Sequence, residues 1–135
     1  MGRRSSIQVK YLSAEEILII HSEIIDKTGG LHGLRDAGLL ASTMERPKTS
    51  FGGNEIFKTV FEKAATYFES LAMYHVFLDG NKRTAIVASA RFLYINNFEL
   101  TATNREVENF VLKIIKEKLE IKEIAVWLKK HSKKT

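Results

Sequence analysis

The chain has 135 residues, 44% of them hydrophobic, which suits one domain built around a single core. It has no cysteine, so disulfides, thiolate metal sites and a cysteine nucleophile are excluded, and the four histidines, His21, His32, His75 and His131, lack the paired spacing of zinc ligands. A formal charge of +5, from 21 Lys and Arg against 16 Asp and Glu, admits an acidic partner or nucleic acid.

The N-terminal M-G-R-R-S-S-I-Q-V-K-Y-L carries charge but not the apolar run of a signal peptide, and no later segment is long and apolar enough to span a bilayer, so the expected address is the cytoplasm. A short extended piece is expected over Ile7–Leu12. Ser13 then opens a capping box, S-A-E-E, for a helix running to about Thr28, where Gly29-Gly30 supply the left-handed residue that ends it. His21, four residues after Ile17 on the apolar stripe, reads as a packed or boundary histidine. A turn follows, then a short helix from about Asp36 to Glu45, stopped by Pro47 through its restriction of Arg46. Arg35 and Asp36 read as a structural ion pair in preference to a site border. Residues 48–54, K-T-S-F-G-G-N, read as a flexible loop, either a connector or a flap beside a site.

A third helix is predicted over Glu55–Tyr74, with Phe57, Val60, Phe61, Ala64, Phe68 and Leu71 on its stripe. One further step of that stripe lands on His75 and carries it inward. The fourth helix is predicted over Asn81–Asn97, with small residues on one side for close packing. Thr103 opens another capping box, T-N-R-E, for a fifth helix to about Lys118, and a sixth covers roughly Lys122–His131. The lysines from Lys113 onward alternate with apolar residues and glutamates, which reads as a solvated helix face with a frayed Lys-rich end. With no repeats or linkers, residues 1–135 form one compact all-α bundle of about six helices.

The chemistry concentrates in H-V-F-L-D-G-N-K-R-T-A, His75–Ala85. A five-residue join keeps His75 near the start of the fourth helix. Asn81, Lys82 and Arg83 fill that helix's first turn, where unpaired backbone N–H groups and the macrodipole attract phosphate, and Gly80 lets the oxygens approach. Lys82 adds a point charge and Arg83 a planar fork. Asp79 offers a hard oxygen for a Mg²⁺ shared with phosphates; the plainer alternative makes it the helix N-cap. Two neighbouring cations disfavour a third, so His75 is expected to serve as a neutral base near pH 7. A base, a phosphate cradle and a magnesium ligand are the parts that transfer of a phosphoryl or nucleotidyl group to a hydroxyl requires.

This stretch resembles the active-site motif of the Fic and Doc proteins, H-x-F-x-[D/E]-G-N-G-R-x-x-R, at His75, Phe77, Asp79, Gly80, Asn81 and Arg83. It departs at Lys82, where Fic enzymes have glycine, and at Ile86, where they have a second arginine; both departures are those of the Doc (death-on-curing) branch. The upstream G-G-L-H-G-L-R-D-A-G-L-L, E-R-P and F-G-G are similar to Doc-like toxins too, so the resemblance covers most of residues 10–100. It implies a Fic fold in which His75 deprotonates a target hydroxyl, Asp79 binds Mg²⁺ on the nucleotide, Asn81 and Arg83 hold phosphate oxygens, and Phe77 anchors the loop. Lysine at position 82 implies ATP bound in the inverted pose, offering its γ-phosphate, and hence phosphorylation of a threonine of elongation factor Tu with arrest of translation. Adenylylation of the Fic kind, or a silent binding module that keeps the fold, are the alternatives. The inhibitory motif [S/T]-x-x-x-E-[G/N] is missing, since Asn104 stands four residues before Glu108. The resemblance therefore implies a brake in trans, an antitoxin whose C-terminal helix lies in a groove over the site; the basic, apolar first and last helices suit an acidic amphipathic partner.

Overall fold

A computed structural model describes residues 8–135. Six α-helices, α1 (Ala14–Thr28), α2 (Ala37–Glu45), α3 (Val60–Met73), α4 (Asn81–Ile95), α5 (Asn104–Glu117) and α6 (Ile121–Lys130), form the bundle. Two short antiparallel pairs join it, β1 (Ser50–Phe51) with β2 (Asn54–Glu55) and β3 (Phe98–Leu100) with β4 (Ser132–Lys134). The expected all-α bundle is therefore what the chain builds. Among the described residues no helix is long and apolar enough to cross a membrane.

Helix α3 is the central post. Its residues Lys63–Phe68 and Ser70–Ala72 are all buried, so it presents core on nearly every side, with α4 and α6 as its main neighbours. Tyr67, Phe68 and Leu71 from α3, Phe92 and Leu93 from α4, and Ile124 and Leu128 from α6 are fully buried together. Each side chain of this size contributes about 1.5–3 kcal/mol by leaving water. The Ala85, Ala88 and Ser89 positions of α4 are buried as well, and these small residues are what let α4 approach α3.

Helix starts follow the capping chemistry. Ser13 and Thr103 make their expected boxes with Glu16 and Glu106, and the backbone N–H and hydroxyl of Thr103 hold the Glu106 carboxyl below its ordinary range. A third box, Thr59 with Glu62, starts α3 five residues later than Glu55, because residues 50–55 are diverted into a hairpin. That hairpin closes on Gly52-Gly53, both at positive φ (58° and 81°), the pair of conformations a two-residue turn demands. Residues 48–54 are thus a tethered hairpin following a 3₁₀ turn, Arg46–Lys48, in place of a loose loop. The tether is Lys63, fully buried on α3, whose Nζ donates to Glu55 Oε1 (2.9 Å) and to the Phe57 carbonyl.

The C-terminal end also departs from expectation. It does not fray: Ser132–Lys134 pairs with β3 in the register Phe98↔Lys134 and Leu100↔Ser132, and Lys133 lies 3.6 Å from Glu99. An unpaired edge on β3 gives the backbone of these lysines hydrogen-bond partners that a helix end lacks. Of the extended N-terminal piece, Ile7 lies outside the described residues; Lys10 pairs through both backbone groups with the Asn96 side chain (2.9 Å each).

Candidate active site

The join between α3 and α4 runs over residues 74–80, two residues longer than the five expected, and it is shaped by a distant segment. Residues 33–36 lie antiparallel to it: Leu34 bridges Phe77, Arg35 and Asp36 N–H donate to the Val76 carbonyl (2.8 and 3.2 Å), and Leu78 N–H donates to Gly33 O (3.1 Å). In this pairing the polar groups of Phe77 itself point the other way. Asn81 meets them: its Oδ1 accepts from Phe77 N–H and its Nδ2 donates to Phe77 O, both at 3.0 Å. The amide of Asn81 does for one residue what a second neighbouring strand does for many. Phe77 is 1% exposed and stacks on His21 at 3.8 Å, so the anchoring role expected of it is real.

His21 is packed, as its stripe position implied, and does more than fill space. Its Nε2–H donates to the Asp79 carbonyl at 2.7 Å, which fixes the tautomer and pins the loop to α1. Gly80 follows at φ 75°, a left-handed conformation, and an added Cβ would stand 3.0 Å from Ile25 Cδ1. Glycine here opens α4 with no side-chain cap. The N-cap role allowed for Asp79 is therefore overturned. Its Oδ2 instead accepts from Leu31 N–H at 2.8 Å, which aims the carboxylate from the loop after α1 and leaves Oδ1 for another ligand.

His75 does not ride the core stripe inward. Helix α3 ends at Met73, and His75 turns the chain at φ 52°, a conformation that costs a non-glycine residue about 1–2 kcal/mol. The two residues after it take the core positions, Val76 at 0% and Phe77 at 1% exposure, while His75 faces solvent. The turn is held by a residue that sequence reasoning assigned elsewhere. Arg35 makes no pair with Asp36, which caps α2 by accepting from Leu39 N–H (3.0 Å). Its guanidinium donates from Nε to the His75 carbonyl and from Nη2 to the Tyr74 carbonyl (3.0 Å).

These constraints gather His75, Asp79, Gly80, Asn81, Lys82 and Arg83 around one open cleft of about 490 Å³, with Thr28, Gly29 and Gly30 on its far wall. None of residues 48–55 lines it. The cleft can receive a phosphate-bearing, magnesium-bound molecule on two grounds. The first turn of α4, which carries no side-chain cap, lines it, and Asp79 keeps one carboxylate oxygen free. Among the described residues no group of three or more metal-ligating side chains stands together. Lys82 and Arg83 are exposed at the mouth, and Arg83 Nη2 lies 3.9 Å from Glu108 Oε2 on α5.

A second concavity, about 330 Å³, adjoins the first between α1, α4 and α5. Ile20, Ile24, Ile86, Val87 and Val107 make its apolar wall, and Thr28 and Arg83 border both hollows. Ile86, at the place of the second arginine of the Fic motif, thus faces this groove. Helix α6 packs on α3 and lines neither hollow.

A model of the Fic/DOC family matches residues 11–93, the span that carries α1, the 31–36 segment, α3 and most of α4. The chain is 39% identical over 93 residues to Toxin Doc of Mycolicibacterium smegmatis, covering 69% of each chain. It is 34% identical over 92 residues to Protein kinase doc of Escherichia phage P1, covering 68% of this chain and 72% of the relative. With the motif, its lysine and its supporting segment all inside the matched span, the chain belongs to the Fic/DOC family, in its Doc branch.

Proposed function

We propose that this chain is a toxin kinase that transfers the γ-phosphate of ATP to a threonine hydroxyl of elongation factor Tu in the cytoplasm, arresting translation, and that a cognate antitoxin restrains it. The observation that carries the reading is the convergence of His75, Asp79, Lys82 and Arg83 on the uncapped start of α4 in one cleft. A relative bearing the name Protein kinase doc supports the direction of transfer.

In this reading the imidazole of His75 takes the proton of the threonine hydroxyl as its oxygen bonds to the γ-phosphorus and the bond to ADP breaks. The backbone N–H groups at the start of α4 and the Arg83 guanidinium receive phosphate oxygens. The Asn81 side chain shapes the loop, and its remaining N–H is free for an oxygen. Asp79, whose Oδ2 accepts from Leu31 N–H, would hold Mg²⁺, which would supply positive charge to the phosphates. Lys82 fills the space where a glycine backbone lets the α- and β-phosphates sit in the adenylylating pose, and Ile86 supplies no fork for the γ-phosphate of that pose. The antitoxin's C-terminal helix lays its apolar face in the groove of Ile20, Ile24, Ile86 and Val107, against Arg83 at the rim of the cleft.

Incubation with elongation factor Tu and ATP labelled at either phosphorus tests this. Label from the γ position alone supports the kinase, label from the α position alone means adenylylation, and growth arrest that survives His75→Ala means a binding module.

A further inference from the structure

We propose that Arg35 is a positioning residue for His75, holding the imidazole toward the cleft by clamping the backbone on both sides of it; this rests on His75 acting as the base. Arg35 reaches the carbonyls of three consecutive residues. Its backbone N–H donates to the Val76 carbonyl (2.8 Å), its Nε to the His75 carbonyl and its Nη2 to the Tyr74 carbonyl (3.0 Å). The Tyr74 and His75 carbonyls stand at the end of α3, where no further helix turn supplies donors and the macrodipole is negative. A planar fork spanning both fixes the orientation of the peptide between them, and that orientation sets where the Cα of His75 aims its side chain. The need for such a clamp is visible in the backbone: His75 is a non-glycine residue at φ 52°, a geometry a free chain leaves. No other side chain among the described residues bonds either carbonyl, and Asp36 next door is occupied at the start of α2.

Both carbonyls lie near the surface, as does Arg35, so water replaces the lost bonds in a variant and the fold survives. The loss falls on geometry. In Arg35→Ala, kcat falls about 10- to 100-fold with the KM for ATP within about twofold of wild type, the signature of a displaced base and intact nucleotide binding. Arg35→Lys, a single-point donor, recovers only part of the rate, and guanidinium added to Arg35→Ala at millimolar concentration restores more than added ammonium does. Independently of activity, the strong intraresidue HN–Hα contact that NMR shows for a left-handed residue weakens at position 75 in Arg35→Ala and persists in wild type. A kcat retained within about twofold, a loss confined to KM, or an unchanged left-handed signature at His75 in the alanine variant overturns the inference. Absence of transfer by the wild type overturns the kinase reading instead, and the NMR comparison still decides whether Arg35 holds the turn.

Discussion

Asn81→Ala separates a structural duty from a ligand duty. In the folded chain the Asn81 amide satisfies both backbone groups of Phe77, each at 3.0 Å, inside a loop whose other face is already paired with residues 33–36. Removing it leaves one N–H and one carbonyl without protein partners. Each costs about 1–3 kcal/mol if it stays dry and about 0.5–1.5 kcal/mol if water takes over. Asn81 is half-buried at the wall of the cleft, so water reaches the gap and the lower figures apply. The sum is about 2 kcal/mol, or roughly 6–10 °C in melting temperature for a domain of this size. Thermal and urea unfolding followed by circular dichroism measure it, with the urea slope unchanged. Nucleotide binding, read by calorimetry, weakens in parallel because the loop that presents the start of α4 has lost its staple. A variant that melts within about 2 °C of wild type yet no longer binds nucleotide refutes the reasoning: Asn81 then acts by touching the ligand and not by shaping the loop.

Lys63→Met strips the β1–β2 hairpin of its tether, and with Glu55 exposed enough to be rehydrated the loss is about 2 kcal/mol, read together with faster hydrogen exchange at the Ile56 amide, which donates to Thr49 O. Glu108→Gln frees Arg83 from a long, mostly exposed pair; stability changes by less than about 0.5 kcal/mol while affinity for ATP rises about two- to threefold in calorimetry. Burial pushes the Tyr67 phenol above its ordinary pKa of 10.0, so the folded state holds that proton more tightly than the unfolded chain. The stability this gives is complete below pH 10.0 and drains as pH rises above it. Tyr67→Phe flattens that alkaline loss in pH-dependent urea unfolding, at the expense of about 1 kcal/mol at neutral pH from the Leu12 N–H bond; an unchanged alkaline limb refutes the assignment.

What a single sequence makes legible here is what neighbouring residues decide. Ser13 with Glu16 and Thr103 with Glu106 announce helix starts because donor and acceptor are three residues apart. The phosphate-ready start of α4 is legible for the same reason, since Gly80 to Arg83 are contiguous. The third box, T-V-F-E at Thr59, is equally local and is obscured by the apolar residues that extend the α3 pattern upstream; Gly52-Gly53, a turn signal, marks the hairpin instead. The aim of His75 lies beyond periodicity because a stripe has no meaning past the point where the helix stops, and the side-chain partner of the His75 carbonyl is Arg35, 40 residues away. Likewise Asp79 reads locally as a cap, while its actual partner, the Leu31 N–H, is 48 residues distant. The close approach of Gly33, whose added Cβ would sit 2.9 Å from Leu78, is also settled by a residue far along the chain.

The pairing of residues 33–36 with 76–78 also sets a schedule. During synthesis the 31–36 segment emerges before the motif it shapes, and α3, which leads into the motif, is seated against Ile124 and Leu128 of α6, which emerge after it. The loop that carries His75 and Asp79 therefore takes its backbone partners from a segment about 40 residues upstream, while the helix before it is seated on one that follows. The shape of the cleft thus rests on long-range pairing, the kind of contact that folding closes late.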